Sequence, residues 1–528
     1  MWKSRPVQIL GGSRRALRAV GVGILLVAVV LGVGSLSPTT AADTAEPVAS
    51  ASPSASASAS AAADGDESST LPQSIEPKVE ASRTPPYGSA YPVTVETNFS
   101  RPVRSMSTSA NSDYSQLDDL ERLIRGSYRS QITGKILPSS TRKARWVYLT
   151  ISRMEDSRRV GRELVKAAKY GVNVRVIHGK FAQSTESRAL AKSLGRYKNA
   201  RFKICAKGRS SACLSNISGA VVHSKILMVS NTYDRNGKPT RGAIWTGSAN
   251  LGGPSAEHTW NNGWTVYNDL KLWNQFSDHW KDLWAERNVR NNYLSYIKAR
   301  ASATRYGIST STAQKAGYTA RAAGYGMFYS NLANVTYYLT PIFATPANGR
   351  DPVMQMLNRV IPDDRCRIYV QHNRFKYRRI GVAEKLVELA NKGCRVEAIA
   401  YRDELKVNRI AHCQQYLRIC KPIMDELRNA NVRVPLAWAK PHDKTMLIDA
   451  RLKPNRYNPE ERLPTGGKWP SSGARVRIVQ AGSAALTGSN LVVSDEITTE
   501  STDPDVFEQY LQHWKAINKS YEFHQVAY

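Results

Sequence analysis

Two stretches of this 528-residue sequence repeat each other: Val221-Val222-His223-Ser224-Lys225-Ile226-Leu227-Met228-Val229 and Pro441-His442-Asp443-Lys444-Thr445-Met446-Leu447-Ile448-Asp449. Each carries a histidine, a lysine two positions on, and then an apolar run. In an extended strand, residues i and i+2 point to the same face. His223 is therefore expected beside Lys225, and His442 beside Lys444. One such strand alone would ordinarily be a solvated edge. Two of them call for a duplicated fold, and the surroundings are duplicated as well.

Arg145-Trp-Val-Tyr-Leu-Thr-Ile-Ser-Arg153 aligns with Cys366-Arg-Ile-Tyr-Val-Gln-His-Asn-Arg374, an offset of 221 from Tyr148 to Tyr369. Both read as strands rich in β-branched and aromatic residues. Each leads into a helical pattern, Glu163 to Ala168 or Lys385 to Ala390, that stops at Gly171 or Gly393, a fitting C-terminal residue. A second strand follows in each copy, Val172 to Ile177 or Cys394 to Ile399. This β-α-β order implies parallel pairing within each half. The halves also end alike: Gln275 to Lys281 matches Gln509 to Lys515, with His279 and His513 expected to pack beside tryptophans. The expected fold class is α/β, two similar halves at 101–300 and 341–528, each a mixed or parallel sheet flanked by helices. Residues 301–340, rich in Gly, Ala, Ser, Thr and Tyr, read as a connector.

The N-terminal 42 residues are expected to be an export signal, with basic Lys3 to Arg18, apolar Ala19 to Val33, and then small residues. Ser13-Arg14-Arg15 allows either a twin-arginine or an ordinary signal. An uncleaved anchor is the alternative, although the apolar run is short for a span of ~20 residues. Residues 43–100, Ala/Ser/Pro-rich at first, read as a disordered linker, with folded structure starting between Thr97 and Gln116. A secreted, extracellular protein can keep disulfides. The six cysteines suggest pairs Cys205/Cys213, Cys413/Cys420 and Cys366/Cys394, among 15 connectivities. A zinc site is the other reading of the cysteines, but the histidines are not spaced around them as ligands. The formal net charge of +31 directs the molecule towards anions: a phospholipid membrane surface, nucleic acid or another polyanion.

The doubled His-x-Lys resembles the phospholipase D superfamily, of the secreted bacterial type. The signature of that family is His-x-Lys, four residues, Asp, with Gly-Ser-x-Asn downstream. The resemblance covers the chain from about residue 110 to its end. It implies two halves packed about a pseudo-twofold axis, with both motifs meeting in one site, so that a monomer suffices. It also implies that one histidine attacks phosphorus, the other protonates the leaving oxygen, and the lysines hold phosphate oxygens, with no metal and no cofactor. The residue types suit this chemistry. A neutral imidazole is nucleophilic, a protonated one is a competent acid, and lysine stabilises charge growing on phosphate oxygens.

The copies depart from the signature in complementary ways. The aspartate position is Ser230 in the first and Asp449, a supporting residue, in the second. The first keeps Gly247-Ser248-Ala249-Asn250. In the second, Gly482-Ser483-Ala484-Ala485 has the spacing without the asparagine, while Gly488-Ser489-Asn490 lacks the spacer. An offset of 235 from Gly247 to Gly482, near the 234 of the terminal helices, selects Ser483 as the partner of Ser248. The same register sets Glu496 opposite Asn261. Family members carry a carboxylate near here that holds a catalytic imidazole. Glu496 is therefore expected to keep His442 charged as the acid, and Asn261 or Asn262 to orient a neutral His223 as the nucleophile. Alternatively, Asp495-Glu496 is an exposed acidic pair.

Expected catalytic residues are thus His223, Lys225, His442, Lys444 and Glu496, with Ser248, Asn250, Ser483 and Asn261 binding phosphate or substrate. The expected activity is hydrolysis of phospholipid head groups, or their transfer to alcohols, through a phosphohistidine. A metal-independent nuclease, a non-catalytic polyanion-binding surface protein and an inactive pair of decayed halves remain as alternatives.

Overall fold

The computed structural model describes residues 91–520, apart from 105–109, 156, 207–209, 216–218, 287–326, 331–333, 342–350, 377–378, 402–418, 420, 429, 431, 438, 457–460 and 493. The export signal, most of the linker and the Cys413/Cys420 pair lie outside the described residues. All described residues belong to one unit, Asp66–Tyr528.

The first half is a seven-stranded sheet of β1 (Thr94–Ser100), β2 (Trp146–Ile151), β3 (Asn173–Gly179), β4 (Ala200–Cys205), β5 (Ile226–Tyr233), β6 (Pro239–Gly247) and β7 (Asn261–Tyr267), ordered β1-β7-β6-β5-β2-β3-β4. The second is a ten-stranded sheet. Its main path uses β8 (Met327–Ser330), β9 (Val335–Leu339), β10 (Arg367–His372), β11 (Arg395–Tyr401), β12 (Val432–Arg433), β13 (Lys444–Leu452), β14 (Ala474–Gly482) and β15 (Ile497–Ser501), ordered β8-β9-β15-β14-β13-β10-β11-β12. The runs β7-β6-β5-β2-β3 and β15-β14-β13-β10-β11 are the same arrangement twice. Both sheets are mixed: β2 pairs in parallel with β3 and antiparallel with β5, as β10 does with β11 and β13. The expected β-α-β units are present, with helices α1 (Arg162–Lys169) and α2 (Ile380–Asn391) crossing between the parallel strands. Gly171 and Gly393 follow these helices with φ of +91° and +105°, a conformation that costs glycine little.

Each strand leading away from a His-x-Lys motif is apolar on both sides because it divides two cores. Ile226 and Met228 of β5 face a central cluster, while Leu227 and Val229 face an outer one. The central cluster joins the halves. Trp264, Trp273, Phe276 and Trp280 meet Tyr337, Leu447, Val479, Phe507 and Trp514 there. The closing helices α3 (Leu270–Trp284) and α4 (Pro504–Lys519) supply much of that layer. Their apolar faces are buried between the sheets. No helix among the described residues is long and apolar enough to cross a membrane.

Two boundaries differ from expectation. The folded part begins at Thr94, since β1 pairs with β7 along its whole length. Its Thr-Val-Glu-Thr-Asn-Phe-Ser sequence alternates too weakly to stand out from a linker. The tail of the 301–340 connector is not a connector: β9 pairs with β15, and Val335, Tyr337, Tyr338 and Leu339 are buried. The disulfides Cys205–Cys213 and Cys366–Cys394 form as expected, the second joining residues that precede the parallel strands β10 and β11.

Candidate active site

The site is assembled by two reciprocal backbone bridges between the halves. Val222, just before His223, bridges Asp495, just before Glu496. Pro441, just before His442, bridges Trp260, just before Asn261. The amide of His223 donates to the Asp495 carbonyl (2.9 Å), and that of His442 to the Trp260 carbonyl (2.7 Å). Such an exchange is what a twofold relation between two similar halves produces. The first motif lies on the lead-in just ahead of β5, whereas in the second His442 precedes β13 and Lys444 is its first residue. The lysines are fully buried, and each ammonium donates to the carbonyl of its own motif's histidine, at 2.5 Å in both cases.

The crossing corrects the expected pairing of the orienting residues. Glu496 does not touch His442. Its carboxylate accepts the Nδ1–H of His223 at 2.8 Å, and Asn261 serves His442 at 3.1 Å. The repeat register was right, but each orienting residue reaches across to the other half's histidine. A linear alignment carries no information about that crossing. The Asn261 amide group donates to the carbonyls of Ser255 (3.1 Å) and Thr259 (2.9 Å), which turns its oxygen towards His442 and Ser248 Oγ (3.0 Å). His442 must then donate its Nδ1–H, leaving Nε2 to the site. Glu496 likewise fixes the His223 tautomer.

Ser248 and Ser483 occupy matching places. Each donates its side-chain O–H to its own half's orienting residue, Ser248 to Asn261 and Ser483 to Glu496. Each also accepts the next backbone amide, from Asn262 and Ile497 (3.0 Å both). The second copy has not lost an asparagine function altogether. Asn490, from the short helix Gly488–Val492, donates to Glu496. Asn250 forms no side-chain hydrogen bond to either histidine among the described residues, and its side-chain oxygen is buried without a partner. Ser230 caps the Trp146 amide (2.9 Å), and Asp449 pairs with Arg475 (3.1 Å) and Arg477 (3.4 Å) towards the far end of β13. Both positions act behind the strand and outside the site.

Electrostatics follow from burying two ammonium groups side by side. Burial pushes Lys225 down to about 7, against the pull of Glu496. Lys444 lies well below its ordinary range through burial and the neighbouring Lys225. His223 is held well below 6.5 by burial and then by Lys225, Lys444, Arg374 and Arg153, and His442 is lowered by burial and both lysines. Glu496 is pushed up to about 8 by burial, opposed by Lys225 and the Ser483 hydroxyl. An anion seated between the lysines would favour the charged form of each of these cations, opposing the effect of burial. Asp495 and Glu496 are each 1% exposed, so the reading of an exposed acidic pair fails.

Two further groups belong to the surroundings. Arg153 and Arg374 are exposed and follow β2 and β10, and the next residue of each bridges Leu251 or Leu486 beyond the Gly-Ser elements. The repeat alignment pairs these arginines, and that was the available signal. The second group is Asp443, fully buried, which accepts from Asn262 (2.7 Å) and contacts His513 Nε2 (2.7 Å). His513 stacks on Phe99 at 4.5 Å, whereas buried His279, its counterpart in the first half, is pushed down to about 3. Among the described residues no group of three His, Cys, Asp or Glu side chains could hold a metal ion.

Residues 137–284, most of the first half, match a family model described as cardiolipin synthase, PLD-like domain. No curated protein matches the sequence. Among solved structures, phosphatidylserine synthase from Haemophilus influenzae is similar at 10% identity and a TM-score of 0.44, over 80% of this chain and 86% of that one. Nuc from Salmonella typhimurium, a phospholipase D family member, gives 16% identity and a TM-score of 0.23 over 37% of this chain and 95% of its own. Polyphosphate kinase from Porphyromonas gingivalis gives 13% identity and a TM-score of 0.39 over 80% of this chain, which spans half the length of that kinase. The first half therefore carries a PLD-like domain, and the same motif, strand order and site contacts are repeated in the second half.

Proposed function

We propose that this protein is a phosphodiesterase that hydrolyses phospholipid head groups, or transfers them to alcohols, through a phosphohistidine on His223. The observation that carries the proposal is the placement of two imidazoles, each with Nδ1–H committed, beside two buried ammonium groups. In the first step His223 Nε2 attacks phosphorus as the bond to the leaving oxygen breaks, and that oxygen takes the Nε2 proton of His442. In the second, His442 Nε2 removes a proton from water or an alcohol, whose oxygen displaces His223. Lys225 and Lys444 hold the non-bridging oxygens throughout.

The roles follow from the crossed partners. The attacking ring starts neutral and gains positive charge as the P–N bond forms, so a carboxylate at its Nδ1 stabilises the transition state more than the ground state. The acid must give up its proton, and a neutral amide at its Nδ1 does not hold that proton back. Glu496 therefore favours His223 as nucleophile, and Asn261 favours His442 as acid. The substrate anion supplies the charge that keeps His442 protonated. The export-signal pattern and the two disulfides support a location outside the cytoplasm, and both half-sites in one chain support a monomer.

A second reading, a nuclease, is favoured by the net charge of +31 and the exposed Arg153/Arg374 pair. Incubation of the mature protein with phosphatidylcholine vesicles, cardiolipin vesicles and DNA, in the presence of chelator, separates the readings. Head-group or phosphatidate release that is lost in both His223→Ala and His442→Ala supports the lipid enzyme. Strand cleavage lost in both supports the nuclease, and no turnover of any substrate refutes an enzymatic role.

A further inference from the structure

We infer that Asp495 is a positioning residue for His223, and that the loop closed by the Cys205–Cys213 disulfide holds Asp495 in place. The inference rests on the role proposed for His223 above. Asp495 is 1% exposed, and its carboxylate accepts the amides of Cys213 (2.6 Å) and Leu214 (3.2 Å). Its own backbone does the joining: the carbonyl accepts from His223 (2.9 Å) and Ser224 (2.6 Å), and the amide donates to Val221 (3.0 Å). One residue of the second half thus fastens the segment carrying His223 and, through the next peptide, sets the origin of the Glu496 side chain.

The loop is built for this grip. Cys213 is tied to Cys205, the last residue of β4, and both are fully buried. Ser211 bridges Val221, with Ser211 donating to Ala220 (2.9 Å) and Val222 to Ser211 (3.0 Å). The two amides that receive the carboxylate are therefore fixed by a covalent closure on one side and a backbone ladder on the other. A buried carboxylate is costly unless its hydrogen bonds are made, so the loop and Asp495 depend on each other.

The repeat provides an internal control. At the matching place in the other arm Trp260 precedes Asn261 and brings no carboxylate; the His442 segment is held by the Trp260 carbonyl and by its own Asp443, which accepts from Asn262 (2.7 Å). The other disulfide, Cys366–Cys394, sits ahead of β10 and β11 and not against either orienting residue. A carboxylate on the residue before the orienting residue, gripped beside a disulfide, is found only in the arm whose orienting residue is a buried glutamate. A carboxylate so placed directs His223 only if its origin is fixed to a fraction of an ångström.

The test combines kinetics with imidazole NMR of the full chain, comparing Asp495→Asn, the double variant Cys205→Ser/Cys213→Ser, and all three substitutions together. Asparagine keeps the shape but turns an NH2 against one of the two amides. Each of the first two variants is expected to lower kcat by about 30-fold with KM nearly unchanged. The combined variant should fall no further than the worse of the two, because both act through one contact. The His223 resonance and its titration should move while those of His442 stay, and Cys366→Ser/Cys394→Ser should lower the melting temperature without a selective effect on His223. Multiplying losses, equal movement of both histidines, or an Asp495→Asn variant with wild-type kcat would overturn the inference. If the wild-type protein turns over no phosphodiester, the proposed reaction fails, and the His223 resonance still decides whether the clamp exists.

Discussion

Glu496 stands in the second half of the chain, and its carboxylate accepts the Nδ1–H of His223 in the first at 2.8 Å. The site therefore works as a unit across the halves. Replacing Glu496 by Gln keeps an acceptor for Nδ1–H but removes the charge that follows the growing imidazolium. The expected result is a fall in kcat of about 100-fold, corresponding to about 2.7 kcal/mol of transition-state stabilisation. Steady-state kinetics on any accepted diester would measure it.

The other arm offers the converse experiment. Asn261→Asp puts a carboxylate beside His442, which lies well below 6.5 through burial and both lysines. A negative charge there favours the imidazolium, so the titration of His442 is expected to rise while that of His223 stays. The acid should become more readily charged and a weaker proton donor, with kcat reduced. Imidazole NMR across pH reads the first effect and kinetics the second.

Lys225 titrates at about 7 because it is buried, so it carries its charge below that pH and loses it above. Anion binding needs the charged form. Inhibition by inorganic phosphate is therefore expected to weaken as pH rises from 6 to 8, by up to about tenfold per unit once past the midpoint. Lys225→Arg, which stays charged, should flatten that dependence whatever its effect on turnover.

Lys444 is lowered well below its ordinary value by burial and Lys225. Its folded value lies below its unfolded one, so the unfolded chain binds the proton more tightly and stability rises with pH through that window. Lys444→Met removes the buried charge. It should abolish activity yet raise stability at pH 7 by about 2 kcal/mol, measured by urea unfolding.

His513 meets buried Asp443 at 2.7 Å and stacks on Phe99. His513→Ala leaves that carboxyl group short of a partner and opens a gap beside the ring. A destabilisation of about 3 kcal/mol is expected from denaturant curves, and His513→Gln, which can still donate, should recover part of it.

Much of this arrangement was legible in the sequence because a repeat supplies its own alignment. The β-α-β units, the terminal glycines of the helices and the equivalence of Ser248 with Ser483 followed from period and offset, and the two disulfides match pairs proposed from cysteine spacing. The crossing of Glu496 to His223 did not, because partner choice between halves is a property of how two surfaces meet. Asn490 was set aside because it stands outside the Gly-Ser-x-Asn spacing; it reaches Glu496 from the short helix Gly488–Val492, the counterpart of Gly253–Glu257 at the same offset of 235. The strands β1 and β9 are mixed in polarity and lie in stretches whose composition resembles linker, so periodicity could not mark them.

The central claim is that His223 attacks phosphorus and His442 donates the proton. Rapid quenching of the protein with a diester carrying a labelled phosphorus and a good leaving group, followed by peptide mapping under alkaline conditions, tests it most directly. The account predicts an acid-labile label on the peptide containing His223, lost in His223→Ala and persisting longer in His442→Ala, where hydrolysis of the intermediate is slowed. A label on His442, or turnover in His223→Ala at the wild-type rate, would contradict it.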